Sequence, residues 1–312
     1  MQVLQNGPLL PWLEDQLAQR HEVHELPAGD GAAAWLREHG AKVEVLATSA
    51  KFGAGRELLD ALPNLKVITS FGVGYETFDL ERLKARGIPV GYTPDVLNDC
   101  VADTAFGLVI NAARRHPQAD RFVREGRWLQ GQFPSTTRVS GKKMGIVGLG
   151  RIGKVVARRA GGFDMEIRYH NRRPVDGVPY VYEPSLPELA RWADFLVVVA
   201  AAGDSTRGLV SAQVLQALGP EGYLVNVARG SVVDQKALVR ALQDRTIAGA
   251  GLDVYEDEPH VPAELLALDN VTLLPHVASN TNETRRAMAQ RVLDNLEGWQ
   301  RTGTVPVAVP LD

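Results

Sequence analysis

Met144-Gly145-Ile146-Val147-Gly148-Leu149-Gly150-Arg151-Ile152-Gly153 runs from an apolar strand through a glycine turn into a helix expected over 151–160. The pattern GxGxxG carries little information alone. Between a strand and a helix it has a physical meaning. Gly148 permits the tight turn, Gly150 lets a pyrophosphate approach the backbone, and Gly153 allows close helix–strand packing. The helix amino terminus then offers free N–H groups and a positive dipole end to an anion. Gly148 through Lys154 also fits most of a phosphate-binding GxxxxGK loop. Val155 stands where that loop needs Ser or Thr for magnesium, which disfavours a nucleotide triphosphatase.

Outward from this turn, β-rich runs alternate with helical segments. Downstream strands are expected over 166–170, 194–199, 223–227, 247–252 and 271–274. Helices are expected between them, including 211–217 and 234–243. Upstream, 43–47, 66–69 and 89–91 read as buried strands separated by amphipathic helices over 53–62 and 78–86. Long helices over 96–115 and 280–299 bracket the downstream series, and 116–143 reads as a polar arm rather than core. Alternation of this kind predicts an α/β protein with two doubly wound parallel-sheet domains. A dinucleotide-binding domain is expected over 96–279, inserted in a first domain formed by 1–95 and 280–312.

Composition narrows the classes. The chain has 312 residues, enough for about two domains. At 45% hydrophobic and 23% charged residues it is neither disordered nor fibrous. Lys and Arg number 34 against 37 acids, a net charge of -3, so no global basicity points to nucleic acid. The single cysteine, Cys100, excludes an intrachain disulfide and a CxxC metal knuckle, and suits a reducing cytoplasm. No apolar run approaches the roughly 20 residues that span a bilayer. Neither a metal nor a membrane partner is expected.

Three polar residues follow three predicted strand ends: Arg229 in Asn226-Val227-Ala228-Arg229-Gly230, Glu258 in Asp257-Glu258-Pro259, and His276 in Pro275-His276-Val277-Ala278-Ser279. Sites in open α/β sheets lie beyond the carboxyl ends of strands, so the three can converge. An arginine grips a carboxylate through parallel hydrogen bonds. A histidine transfers a proton near neutral pH, and an adjacent carboxylate orients it and favours its protonated form.

The order GLGRIG, NVARGSVVD, GLDVYEDEP, PHVAS resembles the D-isomer-specific 2-hydroxyacid dehydrogenases, most of all their glyoxylate/hydroxypyruvate and hydroxyphenylpyruvate reductases. The resemblance implies a Rossmann domain inserted in a flavodoxin-like one, and Arg229, Glu258 and His276 as catalytic residues. It implies cofactor contacts at Gly148, Leu149, Gly150, Arg151, Ile152, Gly153, Asn171, Arg172, Arg173, Thr206, Val227, Ala228 and Ser279, with Asp253 meeting the nicotinamide carboxamide. Substrate contacts follow at Gly72, Val73, Gly74 and Tyr75, with Thr48, Lys51 and Phe52 as further pocket candidates beside Arg229 and His276. Trp128, on the arm, is expected to reach a second subunit of a homodimer. The implied reaction reduces a small 2-oxo acid, glyoxylate or hydroxypyruvate, to a D-2-hydroxy acid. Hydroxyphenylpyruvate reduction and a nucleotide-sensing co-regulator on the same fold are the alternatives.

This sequence departs from the family pattern in places. Asp103 replaces a common Glu, and Ala200-Ala201-Ala202-Gly203-Asp204 replaces a proline-containing turn. The largest departure is Tyr169-His170-Asn171-Arg172-Arg173-Pro174, which lacks the acid that holds the ribose 2′-hydroxyl of NAD. Arg172 and Arg173 suit a 2′-phosphate, so NADP(H) is the expected cofactor, with NAD(H) the weaker one.

Overall fold

The computed structural model describes residues 1–311. They divide into two compact units: Met1–Leu97 with the chain from Asn280 onward, and Asn98–Ser279.

The first unit holds β1 (Gln2–Asn6), β2 (Glu22–Glu25), β3 (Val45–Ser49), β4 (Val67–Phe71) and β5 (Val90–Gly91) in the order β2-β1-β3-β4-β5, all parallel. That is the flavodoxin-like order. Its strand series starts earlier than the expected 43–47: β1 and β2, with the helices Pro11–Arg20 and Gly31–His39, precede it. β3 and β4 also run two residues past the expected ends of their segments. β1 has a buried centre and polar ends, and β2 (EVHE) has no buried residue, so neither gives the apolar run of a central strand. Leu4, Leu46, Ile68 and Val90 anchor the core beneath the helices. At the β5 edge the chain end returns, with Val309 N–H donating to Val90 and Tyr92 N–H donating to Val307.

The second unit holds β6 (Lys143–Val147), β7 (Glu166–His170), β8 (Val181–Tyr182), β9 (Phe195–Val198), β10 (Tyr223–Asn226), β11 (Gly249–Leu252) and β12 (Val271–Leu273). The order is β12-β11-β10-β9-β6-β7-β8, again all parallel. Counted within the unit, this is the Rossmann order extended by one strand, with its switch point between β6 and β9. Helix Asn98–Arg114 packs on β10 and β11. The expected arm is only partly irregular. Helix His116–Arg124 opens it, and Phe122 is buried edge-on to Phe133. Beyond that helix Trp128 and Leu129 are 67% and 94% exposed.

The glycine turn sits at the switch point. Gly148 has φ +102°, and a Cβ on it would lie 2.6 Å from the Ala200 backbone. A Cβ on Gly153 would lie 2.2 Å from the Gly148 carbonyl oxygen. Side chains at either position would push the helix Arg151–Gly161 off the sheet.

Candidate active site

The register of the sheet brings three loops side by side. Asn226 lies opposite Leu252, and Leu252 opposite Leu273, so β10, β11 and β12 end level with one another. Arg229, Glu258 and His276 each leave one of those ends.

Each loop is folded by a residue at or near its strand end. The buried Asn226 side chain donates to the Arg229 carbonyl at 3.0 Å and accepts from Ala228 N–H at 3.0 Å. Arg229 donates to the Ala228 carbonyl at 2.8 Å. After β11, Tyr255 N–H donates to Glu258 at 3.1 Å, and the Tyr255 hydroxyl donates to the Leu274 carbonyl at 2.9 Å. Burial pushes the Tyr255 phenol up to about 12, so it stays a donor across the working range.

Asp253 organises the third loop. It has no exposure, and its two oxygens accept N–H groups from Val277 at 2.8 Å and Ala278 at 2.9 Å. Its own carbonyl accepts His276 N–H at 2.9 Å. His276 has φ +54°, in the left-handed region that side chains other than glycine seldom occupy. Three hydrogen bonds to one residue offset that cost. Burial raises the Asp253 carboxyl above its ordinary range, against the two N–H bonds and the charge of His276.

His276 Nδ1 and Glu258 Oε2 are 2.6 Å apart, short enough for a charge-assisted hydrogen bond. Burial works to raise the Glu258 carboxyl. The His276 hydrogen bond and charge, the Tyr255 N–H and the charge of Arg229 outweigh it and hold Glu258 below its usual 4.5. With Nδ1 engaged, Nε2 is the ring nitrogen left for other chemistry.

The remaining expected residues fall into groups. Around the glycine turn, Leu149 N–H donates to Asn171 at 2.7 Å, which ties the turn to the end of β7. Gly150 caps its helix without a side-chain bond, and the space a Cβ would enter there is open. Arg151 is exposed and Ile152 half-buried at the helix start. Arg172 and Arg173 are exposed. Neither makes an ion pair or side-chain hydrogen bond among the described residues, and no acid follows β7 directly. Thr206 donates to the Ala201 carbonyl at 2.9 Å in the loop after β9. Val227 and Ala228 are buried beneath Arg229, and Ser279 is half-buried after the histidine turn. An open, uncapped helix start beside two free arginines fits a dinucleotide with an additional phosphate.

In the first unit, Gly72 N–H donates to the Thr93 hydroxyl at 3.1 Å, and Thr93 N–H donates back to the Gly72 carbonyl at 2.9 Å. These bonds pin the start of the loop Gly72-Val73-Gly74-Tyr75. Tyr75 packs edge-on to Tyr92, and Phe52 is 42% exposed with Lys51 over its ring. Thr48 is buried at the end of β3, within reach of the Asn6 and Gly53 carbonyls at 3.2 Å, which makes it a brace for that loop. Asn226 and Tyr255 were not among the expected site residues. Their position at or just past a strand end before a charged loop is the signal that could have found them.

A parallel sheet of this order with a glycine turn at its switch point is the architecture of nicotinamide-dependent oxidoreductases, and the chain is one of them. Residues 106–278 match the family described as D-isomer specific 2-hydroxyacid dehydrogenase, NAD binding domain. The chain is 44% identical over 295 residues to glyoxylate/hydroxypyruvate reductase A of Arabidopsis thaliana, covering 95% of this chain and 94% of that one. It is 43% identical to hydroxyphenylpyruvate reductase of Plectranthus scutellarioides, with the same coverage. Among solved structures, the NADPH-dependent glyoxylate/hydroxypyruvate reductase of Sinorhizobium meliloti, in complex with NADP and malonate, superposes with a TM-score of 0.94. That match has 45% identity and covers 99% of this chain and 97% of the other. The chain belongs to the D-isomer-specific 2-hydroxyacid dehydrogenase family. Among the described residues no helix is long and apolar enough to cross a membrane.

A carboxyl held below its unfolded value adds stability above that value and loses it as the pH falls through the folded one. On the acid side, the stability lost in Glu258→Gln is therefore present above pH 4.5 and disappears as the pH drops through the depressed Glu258 value. Urea unfolding of both proteins across that range measures it. A gap that widens on acidification contradicts the pairing.

Proposed function

We propose that the chain reduces glyoxylate and hydroxypyruvate to D-2-hydroxy acids, with NADPH preferred over NADH. The observation that carries the reading is the 2.6 Å contact between His276 and Glu258 on the sheet edge that also presents Arg229. The reduced nicotinamide, when bound, supplies the hydride. Arg229 offers its planar fork to the substrate carboxylate and polarises the carbonyl. His276 Nε2 holds the proton that the developing alkoxide takes up. Glu258 accepts from Nδ1, which orients the ring. Backbone N–H groups of Val73 and Gly74 meet the substrate carboxylate, and Lys51, Phe52 and Tyr75 shape the pocket.

Cofactor choice rests on Arg172 and Arg173. A carboxylate at the end of β7 would repel a 2′-phosphate, and this chain has guanidinium groups there instead. The NADPH dependence of the Sinorhizobium relative supports the assignment. A second reading, reduction of hydroxyphenylpyruvate, has the Plectranthus relative in its favour. Activity confined to aryl pyruvates would select it. The complete Arg229, Glu258 and His276 set favours catalysis over a purely nucleotide-sensing role. Exposed Trp128 and Leu129, beside the charged arm, support a homodimer in which Trp128 meets the second copy.

His276→Ala lowers kcat by about 10²–10⁴-fold while NADPH binding, followed by fluorescence titration, persists. Near-parental kcat would remove the assigned role. Arg172→Ala lowers kcat/KM for NADPH about tenfold or more and spares NADH, since losing a charge-assisted phosphate contact costs on that order. Equal losses with both cofactors, or an NADH preference in the parent, refute the assignment. Light scattering at micromolar concentration reports twice the chain mass; a monomer contradicts the dimer.

A further inference from the structure

We propose that Arg285 sets substrate specificity in the reduction assigned above, donating to an acceptor on the third carbon of the 2-oxo acid. The inference rests on that functional reading and concerns the first unit alone.

Arg285 lies in the first turn of the helix Asn282–Thr302, which packs on β4. The Thr69 hydroxyl donates to the Val292 carbonyl at 3.1 Å, so Thr69 faces this helix. Side chains alternate along a strand, and Phe71 therefore shares that face. The Arg285 guanidinium stands 5.0 Å from the centre of the Phe71 ring. Phe71 ends β4, and the next residue, Gly72, begins the loop whose backbone is assigned to the substrate carboxylate.

This guanidinium is half-buried, and among the described residues it makes no side-chain hydrogen bond or ion pair beside its approach to the ring. Burial lowers its pKa with no opposing contribution from any carboxylate. Four other arginines, Arg82, Arg115, Arg159 and Arg245, reach aspartates instead. A ring face repays only part of the desolvation of a cation, and the guanidinium retains its five N–H donors. A polar group arriving with the substrate completes the environment. The carboxylate is already assigned to the Val73 and Gly74 N–H groups. The acceptor left on hydroxypyruvate is its third-carbon hydroxyl, and glyoxylate has no third carbon. Arg285 therefore separates the two substrates.

The test compares kcat/KM for hydroxypyruvate and glyoxylate, at saturating NADPH, in the parent, Arg285→Gln and Arg285→Lys. The hydroxypyruvate-to-glyoxylate ratio falls about tenfold or more in Arg285→Gln, mainly through a higher KM for hydroxypyruvate, as expected when a site loses its donor to a substrate hydroxyl. Arg285→Lys keeps the charge without the fork, and its ratio falls by a smaller factor. If the Gln variant does not fold, the Lys variant decides. A ratio within about twofold of the parent's, in a variant with the parent's melting temperature, overturns the proposal. If the parent reduces neither acid with either cofactor, the functional reading falls first and this inference with it.

Discussion

Asp253 is wholly enclosed, yet its carboxylate reaches across to a neighbouring strand end and holds two backbone N–H groups of the turn that carries His276. A buried charge is costly unless hydrogen bonds satisfy it, and here they do so by fixing a backbone that would otherwise relax. His276 stays in the left-handed region because that turn is held on both sides. Its ring then falls within 2.6 Å of Glu258, whose own loop is drawn in by Tyr255. The geometry of the proton-handling pair is thus inherited from an acid that need not touch the reacting atoms.

The same logic extends along the sheet edge. Asn226 folds the Arg229 loop through its own amide, and the Tyr255 hydroxyl reaches the Leu274 carbonyl just before the histidine turn. Each charged residue rests on a polar one set at the end of its own strand or of the next. Level strand ends make this sharing feasible, since a parallel register puts three loop origins in one row.

Much of this was legible in the sequence. GLGRIG was legible as the strand-to-helix turn of the larger sheet because Gly148, Gly150 and Gly153 stand between an apolar run and a helical one. That Arg229, Glu258 and His276 follow neighbouring strand ends was legible from the β-α alternation, and the structure brings Glu258 and His276 to 2.6 Å; none of the three stands out alone, and their catalytic roles come from the resemblance. The family resemblance supplied the order of the motifs and is upheld by the relatives. What escaped was of two kinds. Asn226 and Tyr255 act through backbone groups of other residues, and a linear reading does not show which backbone lies nearby. β2 carries glutamates at both ends and buries none of its four side chains, so nothing in it repeats with the period of a half-buried strand. Arg285 escaped for a related reason: its distinction is the carboxylate it lacks, and that is visible only in three dimensions.

The edges of the smaller sheet carry a consequence for handling the protein. β2, on one side, has a glutamate at each end and two partly covered residues between them, and like charges on a second copy would repel it. β5, on the other, is two residues long and is bonded to the returning chain at Val307 and Val309. Exposed strand edges are templates for runaway pairing between molecules, and neither edge here offers a long, unpaired, uncharged one. Concentrated solutions should therefore resist fibrous aggregation for as long as the chain's last segment stays docked, which makes that segment a poor place for a fused tag.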